Sequence, residues 1–192
     1  MKKVEEPFAI KGRYVLIIII LLVVIYFLFI GIDAYKHNQK WKLLNEFDNK
    51  LTKCSLDLST YANTQDYNLA SIQITSCRSI VNDALFYIYK LQKEYPNDED
   101  IIVANLDYQG YGYVLDIEKL AVDPNRDVNS IQKAIELINM YIENFDEITN
   151  SYSETAYYKR YWVPNIDKRQ KNRQDAITWR NKFQSALDSY NE

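Results

Sequence analysis

Apolar residues follow two different rules along this chain. From Tyr14 to Ile32 the sequence reads YVLIIIILLVVIYFLFIGI, nineteen residues without a charge. A run of this kind is satisfied inside a large core or in a bilayer, where a spanning helix needs about 20 apolar residues. Beyond it, apolar positions recur every three or four residues, the period of a helix with one buried face. Phe47, Leu51, Cys54, Leu58 and Tyr61 form one such stripe, with Leu44 and Trp41 one and two turns earlier. Ala62-Asn63-Thr64-Gln65-Asp66 reads as a turn, with Asp66 able to cap the next helix. Ala70, Ile74, Cys77, Val81, Ala84, Ile88 and Leu91 then alternate by four and three until Tyr95-Pro96, where a proline ends the helix.

A third helix opens at Asn97-Asp98-Glu99-Asp100, where carboxylates suit the positive end of the helix dipole. It carries Val103, Leu106, Tyr113, Ile117 and Leu120, and Asp123-Pro124-Asn125-Arg126 closes it. Ile131, Ile135, Ile138, Ile142 and Phe145 mark a fourth helix from near Asp127 to Ser130, breaking around 150–153 or running on to Trp162 ahead of Pro164. Ala176, Trp179, Phe183, Ala186 and Tyr190 mark the last. The expected fold is all-α: an N-terminal transmembrane helix running into an antiparallel bundle of about four to five helices. The expected divisions are a cytoplasmic tail at 1–13, an anchor at 14–32 and an extracytoplasmic bundle at 33–192.

Composition agrees. Four Gly and four Pro in 192 residues argue against a turn-rich β fold or a disordered tail. The apolar run exceeds the roughly 7–15 residues of a cleaved signal peptide, and if Ala34 ended the signal, Ile32 would stand three before the cut, where a small residue is needed. An uncleaved single-pass anchor follows. Lys2, Lys3, Lys11 and Arg13 flank its entry against Lys36, Lys40 and Lys42 at its exit, which favours a cytoplasmic N-terminus.

Charge is segregated. Residues 33–93 carry eight basic and six acidic side chains, 94–154 three and fourteen, and 155–192 eight and four. The basic last helix is expected to lie against the acidic middle of its own domain. Alternatively Asp98, Glu99 and Asp100, with Lys168, Arg169, Lys171 and Arg173, form an interaction surface for another protein. The basic cluster has no interleaved aromatics, so nucleic acid is not the expected partner.

Cys54 and Cys77 sit on the first two stripes. An antiparallel pairing in which residue numbers sum to 131 sets them opposite one another, along with Phe47 and Ala84. They are either two buried thiols or a disulfide, and the disulfide requires an oxidising compartment. Two thiols without nearby His do not make a zinc site, and the single histidine, His37, excludes chemistry that needs two. Asp123, Asn125, Asp127 and Asn129 alternate as an EF-hand loop begins, but Val128 and Ala134 replace its Gly and bidentate Glu. Glu143 and Glu147 share a helix face without the Glu-x-x-His motif of di-metal bundles. No catalytic residue, metal or cofactor is expected. Tyr108, Tyr111 and Tyr113 around Gly110 and Gly112 are either packing, with the glycines allowing close approach, or a slot for an aromatic or lipid-like ligand.

Leu91-Gln92-Lys93-Glu94-Tyr95-Pro96, with Ala104-Asn105-Leu106 and Lys133-Ala134-Ile135, resembles tetratricopeptide helices. The 28 residues from Pro96 to Pro124 hold one helix, however, where that two-helix repeat takes about 34 residues. The plan of one anchor followed by a bundle is similar to bacterial envelope proteins including the LemA family, a likeness of architecture that assigns no residue a role. The sequence thus suggests a non-enzymatic protein held in the lipid bilayer, serving as an interaction or scaffold component of the cell envelope with another envelope protein as partner. A ligand-binding helical module is the alternative, and a tetratricopeptide-like adaptor the next.

Overall fold

Helix α1 (Glu6–Leu51) contains the apolar run and continues past it without a break, as the absence of Gly and Pro between Ile32 and Pro96 allows. The computed structural model describes residues 6–54 and 67–190. These fall into two compact units, Met1–Lys42 and Leu43–Glu192. In the first, every residue from Tyr14 to Ile32 is exposed, and α1 is the one helix among the described residues long and apolar enough to cross a membrane.

The second unit contains the end of α1 followed by α2 (Tyr67–Glu94), α3 (Glu99–Val122), α4 (Val128–Ser151) and α5 (Ile166–Tyr190). A five-residue π-helical turn (Tyr158–Trp162) and a 3-10 turn (Val163–Asn165) lead into α5. No strand occurs among the described residues. The helices α2 to α5 pack mainly on their sequence neighbours, the antiparallel arrangement that short connections impose.

Helix α2 buries Ala70, Ile74, Cys77, Val81, Ala84, Ile88 and Leu91, the stripe the spacing predicts. Opposite it, Leu44, Phe47 and Leu51 are fully covered, and burial of each such side chain stabilises the fold by about 1.5–3 kcal/mol. Lys50 pairs with Asp83 at 3.5 Å. Cys54 and Cys77 stand at disulfide-bonding distance, with Cα atoms 5.2 Å apart. The expected continuation of the first stripe through Leu58 and Tyr61, the turn at 62–66 and the Asp66 cap lie outside the described residues.

The later helices keep their expected extents but broaden their buried faces. Asp98 caps α3 by accepting from the Asp100 N–H at 3.0 Å, and Asp127 caps α4 by accepting from Ser130 N–H at 2.7 Å. In α3 the buried set is Ile101, Val103, Ala104, Asp107, Gly110, Val114, Leu115, Ile117 and Glu118, while the expected Leu106, Tyr113 and Leu120 are half-buried. Ile135 and Ile142 of α4 are likewise half-buried, and the core takes Ala134, Leu137, Tyr141 and Asn144 instead. In α5 Ala176 and Phe183 are buried, Trp179 and Ala186 half-buried, and Tyr190 exposed. Helices packed on two neighbours bury more than one stripe, so the most apolar line is not the whole interface.

The disulfide should contribute measurably. Replacing Cys54 and Cys77 together by Ser should lower the unfolding free energy by about 3 kcal/mol, the chain-entropy value for a loop of this length. Urea titration followed by tryptophan fluorescence would read it.

Candidate ligand cavity

Asp107 is placed by the third turn of α3 where no apolar residue fills the position, and it is 2% exposed. A carboxylate removed from water must be paired. Arg169, in the first turn of α5, donates from both terminal nitrogens to its two oxygens at 2.6 and 3.1 Å. Tyr157 donates its hydroxyl to the same carboxylate at 3.2 Å. The Arg169 guanidinium also lies over the Trp162 ring at 4.2 Å, a cation–π contact. Burial opposes the Arg169 charge, but Asp107, with Tyr111 and Tyr157, outweighs it and shifts the pKa upward. Burial and then the Asp107 charge push the Tyr157 phenol well up, which keeps it a donor.

The π-helical turn supplies the aromatic half of this cluster. Val163 N–H reaches back five residues to the Tyr158 carbonyl, and Pro164 follows without an N–H of its own. The wider turn aligns residues four apart: Tyr157 with Tyr161 (4.8 Å between ring centroids) and Tyr158 stacked on Trp162 (5.7 Å). Turns of this type occur preferentially at functional sites. Tyr157 N–H donates to Asp100 Oδ1 at 2.7 Å, and the Tyr161 hydroxyl donates to Asn45 near the end of α1.

Beside the ion pair lies a cavity of about 210 Å³. Gly110, Tyr111 and Val114 line it from α3, and Tyr141, Asn144 and Phe145 from α4. The π turn contributes Trp162, α5 contributes Lys168, Arg169 and Asn172, and Cys54 closes one edge. A Cβ built on Gly110 would meet Asn144 Oδ1 at 3.5 Å and Tyr141 at 3.9 Å, ordinary contacts, so the missing side chain leaves room and is not forced by close approach. At Gly112 a Cβ would meet nothing within 4 Å; close helix packing does not explain that glycine.

Several polar groups on the lining have no partner among the described residues. The Asn144 carboxamide is 8% exposed and makes no hydrogen bond to them, nor do the hydroxyls of Tyr111 and Tyr141 or the Trp162 indole N–H. Burial pushes the Tyr111 phenol up to about 12 and the Tyr141 phenol further above its ordinary value, so both stay protonated. Of these lining groups the Trp162 N–H is fully shut off from solvent, and buried polar groups are normally satisfied by protein, water or ligand. An interior with aromatic walls and a few converging polar groups has the make-up of a small-molecule site.

Of the tyrosine–glycine group predicted as a slot, Gly110 and Tyr111 line the cavity while Tyr108, Gly112 and Tyr113 do not. Lys168 and Arg169 of the basic cluster reach it. Arg173 instead forms a bidentate pair with Asp146 of α4, both bonds 2.8 Å, and Lys171 is exposed. Of the acidic group, Asp98 is a cap and Asp100 holds Tyr157, so both serve the fold, while Glu99 is exposed. The basic helix thus does meet the acidic middle of its own domain. Asp107, Tyr141, Asn144 and Trp162 were missed from sequence. Asp107 and Asn144 interrupt apolar stripes at core positions, and that interruption was the available signal. Among the described residues no group of His, Cys, Asp and Glu could hold a metal ion.

No family model, curated protein or solved structure matches the chain.

Two measurements follow from the charges. Asp107→Asn leaves the Arg169 guanidinium buried without its counter-charge and should cost about 3–5 kcal/mol, whereas Asp107→Leu with Arg169→Met should recover most of it. Urea titration of the three proteins distinguishes a paired charge from simple packing. Asp48, in the second unit beyond the apolar run, has its pKa raised from 3.8 to about 6, by burial first and then by the Asp107 charge, against Arg169 and Arg160. Its proton is held more tightly in the folded state, so the stability it contributes is complete below about pH 4 and lost as pH rises through 6. Asp48→Asn should therefore stabilise the protein at pH 7.5 and change little at pH 4; paired denaturation curves at the two values test this.

Proposed function

We propose that this protein is a single-pass membrane protein whose bundle, held outside the cytoplasm, binds a small organic molecule without transforming it. The observation that carries the reading is the cavity at Gly110, where Asn144, Tyr111 and Tyr141 present polar groups with no partner among the described residues. The exposed, uncharged run from Tyr14 to Ile32 supports membrane insertion, because so large an apolar surface is poorly tolerated in water. The excess of Lys and Arg before the run supports a cytoplasmic N-terminus. The disulfide-bonded pair supports an oxidising compartment for the bundle. Binding is preferred over catalysis because Tyr111 and Tyr141 hold their protons too tightly to act as bases near neutral pH.

A second reading, a protein-interaction role in the envelope, is favoured by α2, which exposes Leu69, Ile72, Phe86 and Tyr89. Single exposed apolar residues are common on folded proteins, and the cavity is the more specific feature.

The test uses the full chain in lipid nanodiscs with phenol and benzamide as neutral probes, followed by NMR. Both should bind the wild type weakly. Gly110→Leu, which pushes an isobutyl group into the space, should abolish binding while leaving the helical circular dichroism intact. Binding that survives Gly110→Leu would place the probes elsewhere and remove the basis of the proposal. Maleimide labelling of Cys54 and Cys77 in intact cells should require reductant and no permeabilisation; labelling only after permeabilisation would reverse the topology.

A further inference from the structure

Resting on the ligand-binding reading, we infer that the cavity selects a small monocarboxylate carried on a single ring, with the carboxylate seated near Lys168. The charge on the lining decides the sign. Asp107 accepts two bonds from Arg169 and one from Tyr157, so its negative charge is already answered inside the protein. Lys168 lines the same cavity, is exposed, and has no ion pair among the described residues. Among the lining residues one positive charge is left over, and below about pH 6, where Asp48 (whose charge also reaches Tyr111) holds its proton, a monoanion balances it.

Hydrogen bonding points the same way. Asp107 takes one N–H from each terminal nitrogen of Arg169, which has five N–H donors in all. The Tyr111 and Tyr141 hydroxyls, held in the protonated form and without a bond to the described residues, and the buried, unpaired Trp162 indole N–H add donors. A carboxylate is an acceptor only, with about four lone-pair sites, and is complementary to such a surplus. An ammonium would find hydroxyl and amide oxygens to accept its protons, but it would also meet the Lys168 charge.

Size and wall chemistry fix the body. A volume of about 210 Å³ is below the roughly 300–1,000 Å³ of drug-sized sites. It admits one six-membered ring with its acid group. Arg169 and Tyr158 both stack on Trp162, and Tyr111, Tyr141 and Phe145 supply the rest of the aromatic lining, which suits a flat or alicyclic ring better than a branched chain.

The experiment titrates benzoate, benzamide, benzylamine and inorganic phosphate against the full chain in nanodiscs of uncharged lipid, by calorimetry and NMR. Benzoate should bind about tenfold more tightly than benzamide, with benzylamine and phosphate much weaker than either. Lys168→Gln, at an exposed position that leaves the fold undisturbed, should remove most of the preference for benzoate and leave benzamide unchanged. Asn144→Leu should weaken both. Benzamide binding as tightly as benzoate, or benzoate indifferent to Lys168→Gln, would overturn the carboxylate assignment and leave the ligand-binding reading standing. Phosphate binding as well as benzoate would overturn the ring-bearing ligand in favour of a bare anion. If no probe binds, the inference and the reading beneath it fall together.

Discussion

The bundle depends on a carboxylate and a guanidinium that cannot be separated once water has been excluded. Asp107 and Arg169 are 2% and 15% exposed at their side chains, and neither charge is tolerable alone in that setting. Their two-point contact fixes the height of α5 along α3 and also its rotation, because a planar fork meets a carboxylate in one plane. Arg173, one turn further, repeats the device on α4 through Asp146. Helix α5 has few buried apolar residues of its own. These two bidentate pairs provide orientation that its short hydrophobic contact does not.

Tyr157 extends the constraint into the connection. Asp100 and Asp107 are separated by seven residues, two helical turns on one face of α3. Tyr157 spans that interval, giving its backbone N–H to the first and its hydroxyl to the second. One residue thereby pins the π-helical turn against α3 at both ends. The turn in turn holds Trp162 beneath the Arg169 guanidinium. The cavity is a consequence: the charged cluster stands where apolar side chains would otherwise meet, and Gly110 offers nothing to fill the gap.

The helical period was legible wherever a single face is buried. All seven residues expected in the core of α2 are there, and Cys54 and Cys77 meet as their number sum set them. The caps at Asp98 and Asp127 were readable for the same reason, being local chemistry within three residues. Legibility declined in α3 and α4, which pack on two neighbours and bury a broad surface including Asp107, Glu118 and Asn144. Periodicity counts polar residues as outward-facing, so it found one line of each face (Val103, Ile117, Ile131, Ile138 and Phe145 are buried as expected) and missed the adjoining one. Of the site, Gly110 and Tyr111 were visible as an unusual local cluster. Its partners from 141 to 172 come together only through tertiary packing, which no spacing within one helix encodes. The π turn was hidden as well, since Tyr157 to Pro164 reads as an ordinary helix end before a proline.

The proposed topology and the proposed site meet at Cys54, which lies both on the rim of the cavity and in the pair with Cys77. Leu51 ends α1, and Cys54 follows in a short turn held by its N–H to the Leu51 carbonyl at 3.0 Å. Three residues of non-helical chain have little stiffness of their own. That edge of the cavity is tied to α1 by backbone bonds and to α2, whose core stripe is fully packed, by the link between Cys54 and Cys77. A reducing compartment would leave the ion pair and the aromatic wall intact but remove the rim's covalent tie to α2. On this reading the compartment is part of the site: a bundle facing the cytoplasm would keep its fold and lose the covalent tie at one edge of the cavity.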